Sequence, residues 1–135
     1  MASIYDDIRK ALETKLVGIS GIPEIAWENV TFDPTTGTPY IKARFYPTLR
    51  EPAHRGLNPQ MLYRGLFQLQ CCVPEGLGPS AADTLANLVL DNFEATSDIT
   101  NGSTIVSIRY AERERGMSDG THFVVPVNIS WYIYA

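Results

Sequence analysis

The chain has 135 residues, within the usual size of one domain, and its 44% hydrophobic and 19% charged residues are typical of a globular protein with a hydrophobic core. No apolar run approaches the roughly 20 residues that a transmembrane helix needs, and the N-terminus has neither the basic nor the apolar region of a signal peptide. The net charge of −4 argues against a dedicated nucleic-acid binder. We therefore predict one domain over residues 1–135, with no membrane partner.

The first predicted element is an amphipathic helix over residues 4–17. Ser3 and Asp6 have the spacing of a capping box at its start. Apolar residues then recur every four positions, as one face of a helix requires, at Ile4, Ile8, Leu12 and Leu16. A short extended piece over 25–28 and a loop of turn-forming residues over 33–39 follow.

Two runs of alternating apolar and polar residues come next, over 40–49 and 62–73, and each predicts a half-buried strand. They flank a segment over 50–61 that is broken by Pro52, Gly56 and Pro59. The simplest arrangement is a hairpin with a long loop at its tip.

A second helix is predicted from Ser80, where the capping-box pattern repeats, to between residues 93 and 95. Alternation then predicts strands over 104–113 and 123–133, separated by a polar turn. The last strand is the clearest in the chain, although Pro126 predicts a bulge or a free edge within it. The order α-β-β-β-α-β-β predicts an α+β fold, in which two helices pack on a mostly antiparallel sheet.

Basic and acidic residues are segregated along the sequence. Residues 42–64 contain five basic residues and one acid, giving +4, whereas residues 65–108 contain five acids and no basic residue, giving −5. Unlike charges of this kind could face each other between copies of the chain. The alternative interpretation is an ordinary solvated surface.

The search for catalytic chemistry is mostly negative. His54 and His122 have no metal-ligand spacing, and the chain has no phosphate-binding loop and no nucleophile elbow. Cys72 would be a candidate nucleophile only if its strand face were exposed beside a base. The adjacent Cys71 and Cys72 should point to opposite faces of a strand, so they are poorly placed to form a disulfide with each other. We predict a protein that is not an enzyme and needs no cofactor.

Two segments suggest contacts with other subunits. The 50–61 segment is long for a hairpin connection, and its arginines could bind carboxylates or phosphates; the alternative is a mobile surface tip. The C-terminal strand carries large side chains on both faces, which a neighbouring subunit could cover. We predict an assembly interface that contains Arg50, His54, Arg55, Arg64, Arg113, Arg115, Trp131 and Tyr134.

Several segments resemble small proteins encoded among the head-tail joining and tail genes of long-tailed bacteriophages. They are Gly21-Ile22-Pro23 with Ala26-Trp27-Glu28-Asn29, Thr36-Gly37-Thr38-Pro39-Tyr40, Tyr63-Arg64-Gly65-Leu66-Phe67-Gln68, and the run from Pro74 to Ala82. The order of elements is similar to that of the lambda-type tail terminator family, and the resemblance covers nearly the whole chain.

This resemblance implies a homo-oligomeric ring, commonly a hexamer, that caps the tail tube protein and ends its polymerisation. The ring would then present a surface to the head-tail connector, while DNA passes through its lumen without sequence-specific binding. The protein would be made in the bacterial cytoplasm and would lie at the tail-neck junction of the virion. The family supplies no catalytic residues.

Two other functions remain open at this point. One is a head-side connector or stopper protein of the neck, which the sequence separates poorly from a terminator. The other is a small cytoplasmic nucleic-acid-binding module, whose sheet would present Tyr40, Tyr46 and Tyr132 for base stacking.

Overall fold

The computed structural model describes residues 3–33, 37–76 and 79–135. The predicted loop and breaker segments include residues 34–36 and 77–78, which lie outside the described residues. The elements of the described chain are α1 (Ile4–Val17), β1 (Glu24–Ala26), β2 (Tyr40–Pro52), β3 (Met61–Pro74), α2 (Pro79–Asn92), β4 (Asp98–Asn101), β5 (Thr104–Arg113), β6 (Met117–Ser118) and β7 (His122–Tyr134).

Helix α1 has the bounds that the sequence predicts. The Ser3 side chain accepts a hydrogen bond from the backbone N–H of Asp6 at 3.1 Å, which satisfies a donor that the first turn would otherwise leave free. The buried face of the helix consists of Ile8, Ala11, Leu12 and Leu16. Helix α2 begins at Pro79, one position before the predicted start at Ser80, and a proline costs nothing there because an N–H at the first helical position would have no partner within the helix. Ser80 therefore lies inside the helix, and the prediction of a capping box there is wrong.

The strands form one sheet in the order β1-β2-β3-β7-β5-β4, and β6 pairs with β7. The predicted order of elements is confirmed, but the sheet is mixed and has seven described strands, which corrects the expected mostly antiparallel sheet. β1 runs parallel to β2, and the thirteen residues between Ala26 and Tyr40 provide the crossover that parallel neighbours need. β4 and β6 are too short to produce a readable alternation. The ladder between β5 and β7 ends at Val127, and pairing resumes with β6 at Val124. The interruption therefore covers Val125 and Pro126.

The hairpin of β2 and β3 is longer than the sequence predicts. Its ladder continues through Arg50↔Tyr63 and Glu51↔Leu62 to Pro52↔Met61, so the loop is 53–60 and not 50–61. The extension is supported from the other side by β7, because Met61 exchanges two backbone hydrogen bonds of 2.8 Å with Ala135. Pairing with the C-terminal residues therefore stabilises the strand extension at the base of the hairpin, although the prolines of the 50–61 segment predict a loop there.

The outer side of β2 is the edge of the sheet over most of its length. β1 pairs only with Tyr40–Lys42, and the Glu28 carboxylate accepts a hydrogen bond from the Phe45 N–H at 2.8 Å. Beyond this point the edge carries Pro47, a register shift between Pro47 and Leu49, and Pro52. Prolines and bulges on an edge oppose uncontrolled strand pairing, so this edge is protected from aggregation.

Both helices pack on the same face of the sheet, where the main core lies. Trp131 is completely buried at its centre, stacked on Phe45 with 5.3 Å between ring centroids and 5° between planes. The opposite face carries a smaller cluster of Ala26, Tyr40, Cys72 and Val124 against Phe32. No helix in the described ranges is long and apolar enough to cross a membrane.

Candidate assembly interface

A groove of about 490 Å³ lies at the end of the sheet nearest the hairpin tip. β3 and β7 contribute two cross-strand pairs, Leu62 with Tyr134 and Arg64 with Tyr132, which project together because facing residues of an antiparallel pair share one side of the sheet. Its lining residues are Leu62, Arg64, Thr96, Ile108, Arg109, Tyr132 and Tyr134, and we call it the arginine groove.

Arg109 reaches this groove through an irregularity in β5. The register between β5 and β7 shifts between Ile108 and Tyr110, so one residue on β5 has no counterpart. Such a bulge re-aims a side chain that regular alternation would place elsewhere. The preceding loop is fixed at the same point, because Thr96 donates its backbone N–H to the Ile108 carbonyl and Ile108 donates to Ser97, both at 2.8 Å.

The two guanidinium groups of the arginine groove have no carboxylate partner among the described residues. Two ion pairs are found among the described residues, and neither involves the arginine groove: Lys10 with Asp6 at 3.2 Å, and Arg113 with Asp83. The rings of Tyr132 and Tyr134 meet edge to face, with centroids 6.0 Å apart, and Tyr134 is half exposed. A pair of unpaired cations beside aromatic rings matches the composition of protein interfaces, in which Arg and Tyr are enriched.

The hairpin tip, residues 53–60, is a second candidate surface. The loop is closed by a hydrogen bond of 2.7 Å from the Ala53 N–H to the Gln60 carbonyl. Leu57 at the tip is 96% exposed, more than any other large hydrophobic side chain described. Arg50 lies lower on the hairpin, where Nε donates to the Tyr63 hydroxyl at 3.2 Å and the guanidinium lies 5.7 Å from the ring centre.

The structure distributes the predicted interface residues over several places. Arg64 and Tyr134 meet in the arginine groove, whereas Arg50, His54 and Arg55 lie on the hairpin extension. Arg113, at the end of β5, is paired with Asp83 of α2, and Arg115 lies just beyond, exposed.

Trp131 has to be removed from the predicted interface. Its exposed fraction is zero in the single chain, because the side chain points to the helix-covered face of β7. The large side chains of the C-terminal strand therefore lie on two faces of the sheet. Trp131 and Ile133 pack in the core, and Tyr132 and Tyr134 line the arginine groove.

The two cysteines are buried and unsuited to nucleophilic chemistry. Cys71 and Cys72 are both fully covered, Cys71 in the main core and Cys72 in the smaller cluster. Desolvation raises the pKa of Cys71 to about 12 and also raises the pKa of Cys72, so both remain neutral thiols at physiological pH. The condition that would have made Cys72 a candidate, an exposed face, is not met.

We expect the native protein at pH 8 to react with an aromatic disulfide reagent far more slowly than a free thiol does. After unfolding in guanidinium chloride, two thiols per chain should react at once, because the burial that keeps them protonated is then lost. Absorbance at the wavelength of the released thiolate measures both. Rapid release of one equivalent from the folded protein would show that one cysteine is accessible.

The expectation of a stacking surface for bases is not met at Tyr40. This side chain is 4% exposed and packs against Phe32 and His122, with ring centroids 5.2 and 5.0 Å away.

Across residues 3–33, 37–76 and 79–135, no group of three His, Cys, Asp or Glu side chains could hold a metal ion.

These features describe an α+β protein whose candidate sites are open surfaces. The model of the phage tail terminator protein family matches residues 7–131, and the chain therefore belongs to this family of structural tail proteins, which are virion components. A solved structure that is 23% identical has the same fold, with a TM-score of 0.76 over 99% of this chain and 97% of that chain. No curated protein matches the sequence.

Proposed function

We propose that this protein forms a homo-oligomeric ring, commonly of six copies in the tail terminators it resembles, on the end of the phage tail tube. There it ends polymerisation of the tube protein and presents the surface to which the head-tail connector joins. DNA passes through the lumen without sequence-specific contacts. The observation that carries this proposal is the family match over nearly the whole chain.

The geometry supports a role in assembly. The hairpin tip and the arginine groove are exposed, yet they hold a large apolar side chain and two unpaired cations, which a partner protein would cover. Arg50, His54, Arg55, Arg64, Arg113, Arg115 and Tyr134 remain the proposed interface residues. The protein would be made in the host cytoplasm and would act at the tail-neck junction.

Replacing residues 53–60 by Asn-Gly tests the proposal. A two-residue turn of this sequence closes a hairpin well, and Pro52 and Met61 are already paired at its base. Because the loop is exposed, we expect the melting temperature to change by only a few degrees. In phage that depend on this copy, however, we expect overlong tails without heads.

A loop of eight Gly and Ser residues serves as the control for length, and it should fail in the same way if the side chains matter. Phage of normal tail length that merely fail to join heads would indicate a connector. Normal infectivity with either loop would contradict an assembly role for the hairpin tip.

A further inference from the structure

A second groove, of about 240 Å³, lies where the C-terminal ends of α1 and α2 meet β4. Asp91, Glu94 and Asp98 line it, and Lys15 is the one basic residue among its described lining residues. We call it the acidic groove. Its other lining residues are Asn92, Ser97 and Ile99.

The charge at the end of α2 is unfavourable for an isolated chain. The C-terminal end of a helix carries a partial negative charge and is stabilised by nearby cations. The last turn of α2 has no basic residue, and instead contains Asp91 and is followed by Glu94. A cation supplied from outside the subunit would remove this local repulsion.

The hairpin tip carries such a cation in an accessible position. Arg55 is exposed and has no ion-pair partner among the described residues. Arg50 also has none there, but its guanidinium lies over the ring of Tyr63. Leu57, two residues further on, is almost fully exposed, so the tip combines a free charge with an uncovered apolar side chain.

The two surfaces lie on opposite edges of the same sheet and toward the same end. The tip continues from β2, the edge strand on one side, and the acidic groove includes β4, the edge strand on the other. The strand register aligns Arg64, Tyr132, Ser107 and Asp98 in one row across the sheet, so the acidic groove is near the level at which the hairpin extends.

We propose that the hairpin tip of one copy docks into the acidic groove of the next copy, with Arg55 facing Asp91 and Glu94 and with Leu57 covered at the contact. This inference rests on the ring in the proposed function and names the contact that closes it. Because each copy uses a different patch on its two sides, the contact is heterologous and can repeat around a closed ring.

Charge reversal tests the contact on tail tubes assembled with the purified full-length protein. Arg55→Glu places a third acid beside Asp91 and Glu94 at every interface, and Glu94→Arg places an arginine against Arg55. Each should reduce the tube-bound oligomer by about tenfold or more. The double variant, and an equal mixture of the two single variants, should restore the oligomer. Chemical cross-linking of the sedimented tubes, read as a ladder on a denaturing gel, measures it.

Lys10→Glu is the matched control, since it reverses an exposed cation of α1 that does not line the acidic groove, and it should leave the ladder unchanged. Full ladders from both single variants would overturn this contact while leaving the ring intact. Loss with Arg55→Glu that Glu94→Arg does not rescue would also overturn it and would direct the tip to another partner. A wild-type protein that binds tubes without any ladder would contradict the proposed ring itself.

Discussion

Replacing Trp131 by alanine should lower the free energy of unfolding by about 3–5 kcal/mol, because a fully buried indole is lost and the cavity is only partly refilled. The neighbours have little freedom to collapse into this cavity, because Phe45 is held parallel to the indole and β7 is held between β3 and β5. In a domain of this size the loss corresponds to a fall in melting temperature of about 10–20 °C. Thermal denaturation followed by circular dichroism measures it.

Trp131→Phe is the informative control. The indole Nε1 is buried without a hydrogen-bond partner among the described residues, so phenylalanine removes an unsatisfied donor and keeps an aromatic ring near Phe45. We expect this variant to lose well under half as much stability as the alanine variant. Equal losses would show that the indole shape, and not general aromatic packing, determines the stability at this position.

The position opposite Trp131 accepts only glycine, because Gly65 has no room for a Cβ atom. It lies directly opposite Trp131 on β3, and a Cβ added there would approach the indole Cζ2 to 2.8 Å and overlap the Tyr46 carbonyl oxygen. Its φ is not positive, so glycine is required by the close approach of backbone and indole and not by a turn. Nothing in the alternation of residues 62–73 distinguishes this glycine from an ordinary weak point in a strand.

Local patterns were sufficient for the parts of the fold that depend on neighbouring residues. The stripe of Ile8, Leu12 and Leu16 and the Ser3 cap are enough to predict the bounds of α1 from neighbouring residues alone. The alternation of β7 likewise separates buried Ile129 from half-buried Asn128. In these elements, periodicity directly reports which side chains face the core.

Elements that depend on distant pairing were predicted less well. β2 continues past Arg50 because β7 pairs with β3 as far as Met61. No residue within the 50–61 segment indicates that this pairing will stabilise a strand there. The parallel pairing of β1 likewise depends on a crossover, not on its three residues. Tertiary context overrides the turn-forming prolines in the first case and supplies the strand in the second.

The candidate interface could be predicted only in part for the same reason. Arg64 belongs to the basic stretch 42–64 and Tyr134 is one of the large side chains of the C-terminal strand, and both line the arginine groove. Arg109 and Tyr132 line the same groove and were not among the predicted interface residues: Arg109 reaches the groove through a bulge, and Tyr132 is aligned with Arg64 by strand register. The sequence does not predict that Trp131 faces the core, because large side chains occupy both faces of the strand at this end.

The second prediction with a large expected effect concerns the arginine groove. Replacing both Arg64 and Arg109 by alanine should leave the fold and the tube-bound oligomer intact. It should lower the affinity for an adjoining tail protein by about 30-fold for each arginine removed, since arginines at the centre of an interface often contribute about 2 kcal/mol each. We expect the partner to be a carboxylate-bearing segment, because the two guanidinium groups have no acid of their own within the described residues. Complementation of a phage lacking this protein, with counts of joined heads and tails, measures the loss.

A charge-preserving pair separates charge from geometry at the same site. Arg64→Lys with Arg109→Lys keeps both positive charges but removes the planar fork that binds a carboxylate through two parallel hydrogen bonds. If the groove recognises carboxylates in this way, the lysine pair should recover only a small part of the joining that the alanine pair loses. Full recovery would indicate a long-range electrostatic contribution, and normal joining with the alanine pair would exclude the arginine groove from assembly. Because Tyr132 and Tyr134 remain in both pairs, any defect can be assigned to the guanidinium groups and not to the aromatic wall.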